Sequence, residues 1–174
     1  MADWIGRDRR ARRCYGFDEV ALVPGDVTIN PNEVDTSWSI AGKKFKVPIL
    51  AAAMDGVVDV DYAVKMGKLG GIAVLNLDGI QTRYDNPAEV LEQIANATPE
   101  EATKLVQAVY LKPVKDSLIT KRIQEIKSNK VPAVVSCIPQ NAKKFSDIAQ
   151  KAGCDIFVVQ STVATIKHIS SQYK

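Results

Sequence analysis

The side chains able to do chemistry in this chain are few and scattered. Three cysteines stand at 14, 137 and 154, and a single histidine at 168. A thiol becomes a nucleophile beside a base or a cation, and metal sites or disulfides need paired spacings such as Cys-x-x-Cys. No such spacing occurs here, and no metal site is expected. Cys137 falls inside an apolar run and Cys154 just before one, so both read as packing residues, free cysteine being commonly buried. His168, in a polar tail, reads as a solvated side chain rather than a proton-transfer group.

Other groups admit a functional reading beside a plain one. Asp55 ends an apolar run after Met54, where a carboxylate can act on a ligand or cap the amides of the next loop. Arg83-Tyr84 can serve a substrate or a lid, or form a surface turn with Arg83 paired to Asp85. Arg7, Arg9, Arg10, Arg12 and Arg13 would suit a phosphate or a neighbouring subunit. Asp3 and Asp8 interrupt that series and no aromatics accompany it, which favours a solvated arm. Gly70-Gly71 precedes an apolar run instead of following one, so helix termination explains it better than phosphate binding.

The elements that must position these groups alternate along the chain. Val47 to Met54 (VPILAAAM), Ile72 to Leu77 (IAVLNL), Val131 to Ile138 (VPAVVSCI) and Ile156 to Val159 (IFVV) are short apolar runs. Each reads as a strand buried on both faces. Amphipathic stretches lie between them. Asp59 to Leu69 predicts a helix stopped by Gly70-Gly71, and Pro87 begins another that runs to Ile94. Thr98 predicts a cap for a helix with Glu100 and Glu101 in its first turn. Ser117 to Lys127 and Asn141 to Ala152 complete the set. The order βαβαβαβ predicts a parallel sheet with right-handed crossovers.

Composition narrows the class further. At 46% hydrophobic and 25% charged residues the chain resembles an ordinary globular domain. A net charge of +3 gives no reason to expect nucleic acid. No apolar stretch approaches the ~18 residues of a membrane span, and the basic N-terminus lacks a secretion signal's apolar core. A cytoplasmic protein is expected, with neither nucleic acid nor membrane as partner. An eightfold barrel takes about 250 residues, so four βα units would fill half of one, and the pattern fits either a small open α/β sheet or a truncated barrel.

The stretch Tyr15 to Pro24 (YGFDEVALVP), with Val34-Asp35-Thr36, Pro48 to Asp55 (PILAAAMD) and Gly70-Gly71-Ile72 after it, resembles the IMP dehydrogenase and GMP reductase family. Ile5-Gly6-Arg7, Ala11-Arg12-Arg13 and Gly79 to Tyr84 (GIQTRY) resemble its dehydrogenase-related branch without CBS domains. Many dehydrogenases carry a CBS pair after the second strand, and the stretch from Leu77 to Val131 is too short for one.

The resemblance implies the N-terminal half, about four βα units, of a (β/α)8 TIM barrel. An arm and lead-in segment would occupy 1–46 and barrel strands one to four 47–174. It implies hydride transfer at purine C2, between IMP or GMP and NAD or NADP, with a cysteine as nucleophile. That cysteine, the phosphate loop, the flap and a monovalent-cation site lie beyond Lys174 in relatives, so no catalytic residue is expected here and the chain alone should be inactive. Ala52 and Met54 fall where relatives touch the nucleotide, with Ala52 in place of a serine. Gln160, Ser161 and Thr162 fall where relatives hold the cofactor with an acid, and Ile138-Pro139 replaces Thr-His. Asp55, Arg83 and Tyr84 would form an active-face loop. A homo-oligomer, tetrameric in relatives, is expected. The alternative is a non-catalytic half-barrel that pairs with or regulates another chain.

Overall fold

The structure, a computed structural model, describes residues 2–4, 7 and 10–161. Thr162 and His168, singled out above, lie outside them. The chain divides into two units, 1–35 and 36–174.

In the first unit β1 (Ala2–Trp4) pairs antiparallel with β2 (Arg10–Arg12). Short 3-10 turns follow at Phe17–Glu19 and Pro31–Glu33. The Glu19 carboxylate accepts from the Gly16 amide at 3.0 Å and meets Arg13 at 3.6 Å. Phe17, Leu22 and Val23 are exposed.

The second unit opens with a hairpin, β3 (Trp38–Ile40) against β4 (Lys43–Phe45). Its two-residue turn places Ala41 at φ 51° and Gly42 at φ 73°, the left-handed pair that a tight hairpin needs. The apolar-run pattern does not foretell it, because each strand is three residues long and Lys43-Lys44 break the alternation. Trp38 packs on Phe45 with ring centroids 5.7 Å apart and donates its indole N–H to the Val47 carbonyl at 2.9 Å.

The main sheet holds β5 (Leu50–Ala51), β6 (Ile72–Asn76), β7 (Val134–Cys137) and β8 (Ile156–Val159), side by side in that order and all parallel. The predicted run from Val47 to Met54 keeps only two ladder residues. The chain turns away after Ala51, with the Val57 and Val58 amides both bonded to the Met54 carbonyl at 2.9 Å. Alternation sorts the two faces. Ala73, Leu75, Ala133 and Val135 face the helices, while Ile72, Val74 and Val134 meet Phe45 on the other side.

Helix α1 (Val60–Leu69) starts where the Asp59 side chain accepts from the Tyr62 amide at 2.7 Å, and it ends at Gly70, φ 92°. The Gly70 carbonyl then receives the Lys46 and Val47 amides, so the helix stop also fixes the approach to β5. Three helices lie between β6 and β7: α2 (Pro87–Ala95), α3 (Pro99–Leu111) and α4 (Asp116–Ser128). Thr98 precedes α3 as expected, but its hydroxyl bonds the Glu101 carboxylate instead of capping an amide. Helix α4 buries Ile119, Ile123 and Ile126 in the main core, and α5 (Pro139–Lys151) adds Phe145 and Ala149.

The α2–α3 pair stands apart from that layer on a small cluster of Ile80, Val90 and Val109. Its two ends are pinned together, the Lys115 amide donating to the Thr82 carbonyl at 2.9 Å. Buried Arg122 holds the same loop from below, donating to the carbonyls of Gln81, Tyr84 and Asp85 and pairing with Glu125 at 2.9 Å.

Candidate functional site

In parallel α/β sheets ligands sit at the carboxyl ends of the strands, and four loops converge there. From β5 come Ala52 and Met54, both exposed, with Met54 at 56%. Asp55 follows, turned back toward the next loop. Its Oδ2 accepts from the Ile80 amide at 3.0 Å and from the Tyr110 hydroxyl, while buried Oδ1 has no partner. Asp55 therefore holds one amide of the loop after β6, that of Ile80. Gly79 makes room for it, since a Cβ there would lie 1.9 Å from Oδ1.

The loop after β6 repeats the arrangement. The Asn76 side chain accepts from the Asp78 amide at 3.0 Å. The Asp78 carboxylate takes the Ile138 amide at 2.7 Å and the Asn141 side-chain amide at 2.5 Å, locking this loop to the start of α5. An acid at a helix N-terminus meets free amides and the positive end of the dipole.

Arg83 and Tyr84 do not reach outward. Arg83 donates twice to the Asp78 carbonyl, at 3.1 and 2.9 Å, and to the carbonyls of Tyr110 and Lys112. The expected Arg83–Asp85 pair is not made; Asp85 pairs with Lys115 at 2.6 Å instead. A guanidinium with five donors satisfies three backbone carbonyls at once, which a single surface carboxylate cannot match. The Tyr84 hydroxyl donates to the Val109 carbonyl at 3.0 Å.

At the far edge, the Gln160 amide donates to the Cys137 carbonyl at 2.8 Å, and Ser136 donates to the Gln160 side chain at 3.5 Å. Gln160 and Ser161 are exposed. Cys137 is buried, and burial together with the nearby Asp78 charge pushes its thiol up to about 11. It is protonated at neutral pH and no nucleophile. Burial raises Cys154 as well, and its sulfur donates to the Ile156 carbonyl at 3.1 Å. Tyr110 is raised far above a free phenol, by burial first and then by its bond to Asp55, so it stays a donor.

Asp78, Asn141 and Tyr110 escape the sequence reading. One signal was present, since Met54-Asp55-Gly56 and Leu77-Asp78-Gly79 both end an apolar run with Asp-Gly. Tyr110 carries none, because its partner lies 55 residues away.

The chain is a parallel α/β layer with polar groups gathered at the carboxyl edge, the edge where sheets of this kind take ligands. The chain matches the IMP dehydrogenase / GMP reductase domain over residues 14–173, and it belongs to that family. It is 31% identical over 172 residues to an uncharacterized oxidoreductase of Mycobacterium tuberculosis, covering 96% of this chain and 46% of the relative. Over 66 residues, 38% of this chain and 13% of the relative, it is 39% identical to an inosine-5'-monophosphate dehydrogenase of Methanocaldococcus jannaschii. The crystal structure of an IMP dehydrogenase/GMP reductase-like protein from Corynebacterium glutamicum superposes with TM-score 0.84 at 30% identity, over 97% of this chain and 46% of that one. The chain thus spans about half the length of the full-length relatives it matches, and its α/β fold with a parallel sheet is consistent with half of a TIM barrel.

Proposed function

We propose that this chain forms the front half of a (β/α)8 barrel whose complete form moves hydride between NAD or NADP and C2 of a purine nucleotide, IMP or GMP. Family membership supports an oxidoreductase, and one observation carries the site: Met54 stands 56% exposed at the carboxyl end of β5. Methionine is an adaptable apolar wall for a purine face. Ala52 beside it offers no hydroxyl, so polar recognition of the nucleotide falls to other loops.

The residues at the β8 end fit a nicotinamide cofactor, which supplies a hydride donor or acceptor when bound. The Gln160 carboxamide both donates and accepts, Ser161 adds a hydroxyl, and Ile138, 43% exposed, gives an apolar neighbour. Thr162, the third residue of that expected trio, lies outside the described residues. In this reading residues 1–46 are an arm, residues 47–174 hold barrel strands one to four, and the nucleophilic cysteine and any monovalent-cation site belong to the other half. The setting is cytosolic and the complete assembly a homo-oligomer.

The test uses the protein at the length its cells make it. Oxidation of NADPH or NADH with GMP, or reduction of NAD or NADP with IMP, is expected from a product about twice the size of these 174 residues, and no turnover from the 174 residues alone. A product of that size with neither activity would overturn the reading. A native product of 174 residues would favour the second reading, a half-barrel that pairs with another chain. That reading draws on the exposed outer strands, with Leu50 at 48% and Val159 at 51%.

A further inference from the structure

We propose that Tyr110 is a positioning residue for the nucleotide-facing end of β5, acting through Asp55, and that the α2–α3 hairpin is the element that delivers it. The inference rests on the purine-nucleotide reading of that edge. Asp55 directly follows Met54, so anchoring its carboxylate anchors the backbone that carries the exposed methionine. Only one carboxylate oxygen is bonded, Oδ2, shared between the Ile80 amide and the Tyr110 hydroxyl. Oδ1 is buried against Gly79 with no donor. Ile80 belongs to the loop directly after β6, whereas Tyr110 arrives from the last turn of α3. Without the phenol, a single amide would hold the acid.

Tyr110 is itself held in a way that couples it to the loop after β6. The Arg83 guanidinium lies 5.4 Å from its ring centroid and bonds its carbonyl at 3.1 Å. In the reciprocal arrangement the Lys112 ammonium lies 4.7 Å from the Tyr84 ring, whose hydroxyl bonds the Val109 carbonyl. Each contact is modest alone, but together they fix the end of α3 over the strand end. Tyr110 as a residue remains 39% exposed, so this catch sits at the surface and not in the core.

The experiment compares Tyr110→Phe, Asp55→Asn and the double variant in the protein at its native length. Tyr110→Phe deletes one hydroxyl and should fold. The expected result is a rise of about tenfold in KM for the purine nucleotide with kcat within about twofold, the mark of lost ground-state positioning. The double variant should be no worse than the poorer single one, because both remove the same link. Hydrogen exchange of the segments 52–58 and 78–84 should quicken in Tyr110→Phe even without nucleotide. Unchanged exchange together with unchanged KM would overturn the proposal, as would additive effects in the double variant. Failure of the purine reading shows differently: the unmodified protein then neither binds nor turns over IMP or GMP, while the exchange readout still decides whether Tyr110 orders the strand end.

Discussion

Asp155 joins three elements with one carboxylate. Lys43 from β4 and Lys127 from α4 each reach it at 2.9 Å, and the Ala133 amide ahead of β7 donates at 2.8 Å. Burial alone would raise its pKa, but the hydrogen bonds from Lys127 and Lys43 outweigh burial and hold it below the ordinary 3.8. A lowered carboxyl contributes stability that is complete above its unfolded value and is lost as pH falls through the folded one. Urea denaturation should therefore show Asp155→Asn less stable by about 1–3 kcal/mol at pH 7, with the gap closing below about pH 4. An equal gap at pH 7 and pH 2.5 would contradict this assignment. The cysteines separate as sharply. Iodoacetamide at pH 7.5 should modify exposed Cys14 readily and buried Cys137 only after denaturation, as mass spectrometry of the labelled peptides would report.

Among the elements, α4 does most to define the layer. Ile119, Ile123 and Ile126 are fully buried, and Ile123→Ala should cost about 3 kcal/mol in chemical unfolding. Arg122, on the same helix, works through the backbone. Arg122→Leu strands three loop carbonyls and should speed hydrogen exchange across 81–85 more than it lowers the global midpoint. These helices, and the strands beneath them, were legible because apolar period and stop residues act locally: Asp59 begins α1 and Gly70 ends it where the pattern says. What was not legible depends on distance along the chain. The turn of Arg83 from Asp85 to distant carbonyls, and the bond from Tyr110 to Asp55, join residues that no local window contains. The β3–β4 hairpin carries no local signal for another reason. Its strands are stabilised by the Trp38–Phe45 contact and by cover over β6 and β7, not by an apolar run of their own.

At the scale of the whole molecule, the sheet ends on strands that lack an outer neighbour among the described residues, β5 and β8. Unpaired strand edges with apolar side chains recruit other strands. Sedimentation velocity of the 174-residue chain should show association that rises with concentration, and Val159→Lys should weaken it. A monodisperse monomer with cooperative unfolding would argue that the edges are covered. The bond between the Lys115 amide and the Thr82 carbonyl has a different consequence. It closes the chain on itself at the neck of the α2–α3 hairpin, so the pair enters and leaves the α/β layer at adjacent points, and the bond from Tyr110 to Asp55 ties its far side back to the end of β5. Loop-closure cost grows only with the logarithm of length. That neck is therefore a splice point, at which evolution or an engineer can exchange the helical pair for a larger module with the sheet kept, at the cost of the link from Tyr110 to Asp55.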